Sequence, residues 1–393
     1  MFLVFALSLA VAMVLIHTAL VLGAVRSLMA ESSPDDFDFE RESGRISVVI
    51  PARNEEPLLP RLLGSLERQD TDRFEIVLVN DRSEDATAQI MAEFAERHGR
   101  RVRIVQLTDS PGAMNPKQRA LAAGVAVATG DLLLMTDADC LLPAAWVRTL
   151  GGQFRDPNVG LVVGAVMPRP RSSQRAPRWF DLYQSFDQLL RFQYCAGAAG
   201  LGIAAGGFGN NLAVRRAALD NAGGFEGLRY TLTEDAQLIA QVRETGCWQI
   251  RAVRRRGVRI APATELNIRA LCAQSLRWNS GGLFSPDLRT RLAYRLIMVY
   301  LMLSVFVLPL GLLIRPVVLP ALASFISMLM LSITAGLLNA PGAWYWITLV
   351  PNLLLSMVFY SFVIMVSLFR PAVPWKGARL SVKSPSNSRL RGP

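Results

Sequence analysis

Met1 to Val25 contain no formally charged side chain, and this run constrains the chain more than any other feature. At about 1.5 Å of rise per residue, a helix of that length crosses the roughly 30 Å hydrocarbon layer of a bilayer. The stretch predicts one membrane anchor over 1–26. A cleaved signal peptide fits less well, because the apolar run is too long and no basic segment precedes it. Arg26 follows directly and marks the inner side, so the next domain is expected in the cytoplasm, at the inner membrane. The other end is also apolar, with candidate spans near 296–314, 317–338 and 344–369, broken at Arg315-Pro316 and Asn339-Ala340-Pro341-Gly342. Trp344, Tyr345 and Trp346 read as an interfacial anchor. Three crossings would carry Arg370, Lys376, Arg379 and Lys383 to the far side, against the positive-inside rule. Two full crossings plus a re-entrant or interfacial piece is the favoured count.

Between these ends the chain is different in kind. Hydrophobic residues make up 51% and charged ones still 19%, so the apolar content is concentrated rather than spread. The net charge of +11 suits a nucleic-acid binder, but no aromatic RNA-binding signature, zinc-ligand spacing or basic zipper accompanies it. The Arg surplus reads instead as a face held against anionic lipid, above all Arg251, Arg254, Arg255, Arg256 and Arg259. Trp179 to Tyr194 has the spacing of an amphipathic helix, lying at the interface or packed within the protein. Cys140, Cys195, Cys247 and Cys272 lack metal-ligand spacing, and His17 and His98 are too few for a His-rich zinc site. Buried free thiols in a reducing compartment are expected.

Residues 27–45 form an acidic linker, and a soluble domain follows over 46–290. Short β-rich runs alternate there with helical stretches: strands over 46–50, 75–79, 102–107 and 131–136, and helices near 56–68, 85–97 and 116–128. Such alternation predicts right-handed crossovers and a mostly parallel, Rossmann-like sheet flanked by helices, with ligands at the carboxyl ends of the strands. The membrane region covers 291–370 and a basic tail 371–393.

One strand, Leu132 to Thr136, runs straight into Asp137-Ala138-Asp139. Residues two apart in an extended segment share a face, so both carboxylates can line one hard-cation and nucleotide site. A solvated turn with an Asp cap is the competing reading. Asp81 ends the second strand in Asn80-Asp81-Arg82-Ser83, where it can accept hydrogen bonds from a base or ribose. Ser83 reads equally as a helix cap.

With these motifs in order, the chain resembles the inverting family 2 glycosyltransferases of GT-A fold. It is most similar to the membrane-bound branch with cellulose synthase, hyaluronan synthase and ceramide glucosyltransferase. Ser47 to Glu56 is similar to the family's first strand and nucleotide-binding turn, which implicates Pro51, Asn54 and Glu55. Asn80-Asp81-Arg82-Ser83 stands where the family has Asp-Asp-x-Ser, which leaves Asp81 to carry the donor contact. Lys117 resembles the lysine of a Gly-Lys-x-x-Ala-Leu segment, with Pro116 in place of glycine. Asp137-Ala138-Asp139 resembles the metal motif, which implies magnesium or manganese held mainly by Asp139, with Asp137 serving the nucleotide-sugar. Gly209 to Arg216 resembles a donor-pocket segment and implicates Asn211. Thr233-Glu234-Asp235 resembles the motif whose last aspartate is the family's general base. Gln274, Arg277 and Trp278 match its Gln-x-x-Arg-Trp signature.

The resemblance implies inverting transfer from a nucleotide-sugar of the UDP-sugar kind to a lipid or glycan acceptor at the membrane, with no nucleic-acid partner. The chemistry of the residues agrees: a carboxylate takes the acceptor proton while a cation steadies the departing diphosphate. Arg277 offers a fixed guanidinium to phosphate oxygens, and Trp278 a flat face for a sugar or lipid; both also suit anchoring at an interface. Few strongly polar residues in the C-terminal spans favour a single transfer onto a lipid hydroxyl over a processive polysaccharide synthase. A non-catalytic scaffold is the remaining alternative, and the set Asp81, Asp137, Asp139 and Asp235 argues against it.

Overall fold

The computed structural model describes residues 2–32, 45–109, 112–169, 178–314, 318–376 and 378–382. Most of the acidic linker, the Arg315-Pro316 break and the tail from Lys383 lie outside the described residues. The soluble part follows the expected alternation: β1 (Ile46–Ala52), α2 (Leu59–Glu67), β2 (Phe74–Asp81), α3 (Thr87–His98), β3 (Val102–Leu107), α4 (Pro116–Val127) and β4 (Leu132–Thr136), after α1 (Phe2–Met29). There follow β5 (Cys140–Leu141), α5 (Trp146–Gly152), β6 (Val159–Gly164), α6 (Trp179–Gly200), β7 (Asn211–Arg215), α7 (Arg216–Asn221), α8 (Glu234–Glu244), β8 (Gln249–Val253) and β9 (Ala261–Pro262).

Seven strands form one sheet in the order β3-β2-β1-β4-β7-β6-β8. Only β7 runs against its neighbours; β1 lies parallel to both β2 and β4, with Val48 opposite Ile76 and Leu134. Strand order reverses between β1 and β4, and a crevice opens at such a switch point beyond the carboxyl ends of the strands. The period-2 alternation explains the two faces. Val48, Ile50, Leu132 and Leu134 face α2 and α5, while Val49, Leu133 and Met135 face α4 and α6.

The membrane-capable helices pack against the soluble part. After α9 (Ile268–Leu283) come α10 (Leu288–Leu313), α11 (Val318–Asn339) and α12 (Ala343–Phe369), then a hairpin of β10 (Ala372–Trp375) and β11 (Ala378–Ser381). Among the described residues, three helices are long and apolar enough to cross a membrane: α1 over Ala10–Met29, α11 and α12. Helix α1 runs along α6 so closely that a Cβ on Gly23 would strike the Gly197 carbonyl, and one on Gly200 the Gly23 carbonyl. Backbone-to-backbone packing of this kind needs small residues. Met13, Leu20, Phe186, Leu189, Leu331 and Leu353 form a core shared by α1, α6, α11 and α12.

Two sequence readings change here. The arginines of 251–259 are not a free lipid-facing patch. Arg254 is buried, and its Nη1 donates to the Ala24 carbonyl in the C-terminal part of α1. Arg259 donates to the Asn339 carbonyl that ends α11, and Arg251 pairs with Asp156. At Asn339 a cation meets an orphan carbonyl and the negative end of the α11 dipole, and with the Arg254 contact to α1 this stretch clamps two helices to the sheet; of these arginines Arg256 alone is exposed. Among the tryptophan-tyrosine trio, Trp344 and Trp346 are exposed, but Tyr345 is buried and donates to the Ser332 carbonyl. The hairpin after α12 returns to the soluble part, where the Tyr230 hydroxyl donates to the Ser381 carbonyl at 2.9 Å. All four cysteines are free; Cys140 and Cys195 are buried, Cys247 is exposed.

Candidate active site

The carboxyl ends of β1, β2 and β4 deliver Glu55, Asp81, Asp137 and Asp139 to one crevice, a cavity of about 790 Å³ that also receives Lys117, Asp235, Gln274, Arg277 and Trp278. In the segment after β4, Asp137 and Asp139 open to the cavity and Ala138 is buried between them. The triplet forms a turn rather than the extended segment expected, and both carboxylates reach the cavity all the same. Pro116 occupies the first turn of α4, where its missing N–H costs nothing. The Asn115 side chain caps the helix by accepting from the Gln118 N–H at 2.8 Å, and its amide also donates to the Thr231 carbonyl. That cap aims Lys117 at two motifs at once: its ammonium lies 2.6 Å from Asp137 and 3.5 Å from Glu234.

Asp235 stands in the first turn of α8. Its Oδ2 accepts from the Gly209 N–H at 2.8 Å, and its Oδ1 from the Ala236 N–H at 2.8 Å. Gly209 is required by proximity, since a Cβ there would lie 3.0 Å from that of Asp235. Burial, reinforced by the neighbouring Glu234 and opposed by Lys117, raises Asp235 to about 6. Asp139 is likewise raised to about 6 by burial and by the Asp137 and Glu55 carboxylates. Burial works against the charge of Lys117, but Asp137 and Glu234 outweigh it and hold the ammonium above its ordinary range. Such mutual shifts mark a site built around a compensating cation.

The donor set fits a divalent metal of one kind only. Among the described residues, no group of three or more His, Cys, Asp or Glu is arranged to hold an ion alone. Two half-buried carboxylates suit a magnesium-type ion completed by phosphate oxygens and water rather than an all-protein cage.

Several expected residues take other places. Asn211 is fully buried away from the cavity: its amide oxygen accepts from Trp146 Nε1, and its nitrogen donates to the Ala165 and Val258 carbonyls. It braces the sheet, and Asn210 lines the cavity in its stead. Asn54 is exposed with φ of 52°; its N–H donates to Ser83 and its side chain accepts from Glu84, so it joins the loops after β1 and β2. Pro51 lines the cavity. Asp81 forms a two-pronged pair with Arg82 at 2.7 and 3.1 Å. Gln274 donates to Glu265, and Arg277 lines the cavity without an ion-pair partner among the described residues. One face of Trp278 is covered by the Arg191 guanidinium, 5.0 Å from the ring centroid.

Sequence reasoning missed two groups. Pro374, Trp375 and Lys376 of the C-terminal hairpin line the cavity, and Lys376 pairs with Glu55. The same cavity continues past Asp235 between Ile16 and Leu20 of α1, Leu296 and Leu301 of α10, Met328 of α11 and Ile364 of α12. Only the clustering of lysine with Pro-Trp after the last apolar run hinted at the first. The second needed the packing of helices that are distant in sequence.

Comparison with known proteins places this arrangement. A Bacillus subtilis protein, "Probable glycosyltransferase YdaM", is 31% identical over 255 residues, 61% of this chain and 57% of that one. A "Beta-monoglucosyldiacylglycerol synthase" of Trichormus variabilis is 26% identical over 60% of this chain and 48% of its own length. The chain thus spans about half the length of these curated relatives. Among solved structures, a mannosyltransferase from Pyrobaculum calidifontis, determined with GDP-mannose and Mn2+, covers 93% of this chain and 99% of its own, with a TM-score of 0.55 at 19% identity. That likeness establishes the GT-A-like fold. The family model of glycosyl transferase family 21 matches residues 2–387. The motifs resembled family 2 and the matching model is numbered 21, but the expectation of a GT-A glycosyltransferase holds. Because the match runs through both hydrophobic ends as well as the sheet, the whole chain, and not only its middle, belongs to glycosyl transferase family 21.

Proposed function

We propose that the protein transfers one sugar from a nucleotide-sugar, a UDP-sugar in the first instance, to a hydroxyl of a membrane lipid, with inversion. The observation that carries this reading is the single cavity joining Asp137, Asp139 and Asp235 to an apolar space walled by α1, α10, α11 and α12. A soluble acceptor has no use for that space, and burying methylene groups there gains about 0.8 kcal/mol each. Relatives named for a diacylglycerol acceptor and for 4,4'-diaponeurosporenoate support a lipid acceptor. A processive synthase is less favoured, because the helices present an apolar wall to the cavity rather than a polar path.

In this reading Asp235 takes the proton of the acceptor hydroxyl, its carboxylate aimed by the Gly209 N–H. Lys117 keeps Asp137 and Glu234 at fixed positions and offsets their charge beside the base. Asp81 receives the donor's base or ribose, and Arg277 binds phosphate oxygens bidentately. Asp139, with Asp137, would hold a magnesium or manganese ion, which when bound supplies charge neutralisation for the leaving diphosphate. The catalytic domain is read as facing the cytoplasm. Since the hairpin shares its side, an even number of crossings separates them, in keeping with two spans plus a re-entrant or interfacial piece.

Mass spectrometry of lipid extracts incubated with the purified full chain, Mn2+ and UDP-sugars tests the proposal. A new hexosylated lipid is expected. Sugar incorporated only into a polymer would overturn the lipid reading.

A further inference from the structure

Helix α6 lays Gln184, Asp187, Gln188, Arg191 and Tyr194 along the cavity. Their spacing of three and four residues puts them on one face, a polar belt between the carboxylates and the apolar space. At its centre is a closed ring of hydrogen bonds. Arg191 Nε donates to Asp187 Oδ2 at 3.0 Å, Arg191 Nη2 donates to the Tyr360 hydroxyl at 2.7 Å, and that hydroxyl donates to Asp187 Oδ1 at 2.5 Å. The guanidinium carbon lies over two rings, 5.0 Å from the centroid of Trp278 and 4.9 Å from that of Tyr360. Two of its five N–H groups are spent on this ring.

Two consequences follow. Asp187 is buried and cancels the charge of Arg191, so the belt has no net charge for an anion to meet. The cavity as a whole carries eight acidic side chains against five basic ones, which further disfavours an anionic acceptor. Next to the ring, the Gln188 Oε1 is buried and has no hydrogen-bond partner, in a residue only 8% exposed. A buried acceptor left unpaired costs about 1–3 kcal/mol, and a donor on a bound lipid head removes that cost.

We propose that Gln188, Asp187 and Arg191 of α6, closed by Tyr360 and Trp278, form the head-group subsite that selects the acceptor: an uncharged lipid alcohol carrying a second hydrogen-bond donor, with lipid phosphates turned away. This rests on the lipid-acceptor reading above and assigns it residues. The reacting hydroxyl points to Asp235, the second donor meets Gln188, and the guanidinium edge receives the head's oxygen. A site built for a hydrogen bond discriminates strongly against analogues lacking it, because its own group is then left unpaired.

Three amphiphiles of equal chain length separate the cases: a dodecyl vicinal diol, dodecanol and dodecyl phosphate. Their binding to the full chain in detergent micelles with Mn2+ and UDP is measured directly. The expected order of affinity is diol, then alcohol, then phosphate, with about tenfold between the first two. Gln188→Leu removes the preference for the diol and leaves UDP affinity within twofold. Asp187→Asn uncovers the guanidinium and tightens dodecyl phosphate at least tenfold. Phosphate binding as tightly as the diol in the unmodified protein, no binding of any of the three, or an undiminished diol preference in Gln188→Leu overturns the proposal. If Asp187→Asn fails to fold, seen as lost UDP binding, the other two measurements decide. Lipid glycosylation by the same preparation is scored separately: its absence defeats the acceptor reading, whereas its presence with the wrong order of affinities defeats this inference alone.

Discussion

Lys376 and Glu55 form an ion pair across 321 residues of sequence, joining the C-terminal hairpin to the loop after β1. The same ammonium donates to the Arg53 carbonyl at 2.8 Å, and the residue adopts φ of 42°. Val373 and Val382 root the hairpin in a buried cluster with Leu271, Leu276 and Phe359. The donor crevice therefore has a wall contributed by the last described residues, beside Asp139.

Lys376→Ala is expected to raise the KM for the nucleotide-sugar about tenfold, the scale of one charge-assisted hydrogen bond. Lys376→Arg should recover most of that loss. Steady-state kinetics on the full chain check both, and an unchanged donor KM in the alanine variant rules out a donor-facing role for the hairpin.

The carboxyl of Asp235, raised to about 6 by burial and Glu234, sets a pH dependence. A base acts only when ionised, so turnover should be full above pH 7 and fall tenfold per pH unit below about 6. Stability runs the other way. With its folded value above the unfolded one, the group binds more protons in the fold, so stability is lost as pH rises from the ordinary carboxylate range through 6. Asp235→Asn should thus lower turnover by about 10²–10⁴-fold while raising Tm at neutral pH and keeping UDP affinity. Turnover like that of the unmodified protein would refute the base assignment.

Asp139→Ala is expected to abolish the gain in UDP affinity that Mn2+ brings, without changing the weak affinity measured in chelator. Calorimetric titration with and without the metal reports both. A metal-dependent gain that survives the substitution places the ion elsewhere.

Gly200→Leu should destabilise the protein by about 1–3 kcal/mol or more, the usual cost of overpacking, because its side chain has no room against the Gly23 carbonyl. Thermal unfolding in detergent measures it. Gly246→Ala serves as the comparison, since nothing surrounds a Cβ there and only its φ of 68° is strained.

The sheet and most of the crevice were legible because β2 ends on Asp81 and β4 runs straight into Asp137-Ala138-Asp139, so these carboxylates are placed by local sequence. Asp235, Arg277 and Trp278 were legible only through their motifs. What escaped were contacts whose partners lie far along the chain. Arg254 and Arg259 look like solvated charge until the Ala24 and Asn339 carbonyls arrive beside them. Asn211 looks like a pocket residue because nothing local reveals that Trp146 and two carbonyls use up its amide. Helix α6 announces its amphipathic pattern, but not that its polar side meets a cavity and its other side meets α1.

The glycine seam between α1 and α6 has a consequence for how such an enzyme can be altered. An anchor that merely tethers is portable, and any apolar helix of equal length replaces it. Here the first helix contributes Ile16 and Leu20 to the chamber that holds the candidate site and interlocks with α6 through bare backbone. It leaves the ribosome well over a hundred residues before the helix it must fit. A chimera with a borrowed leader segment would still reach the membrane, but it would arrive with one side of its chamber missing.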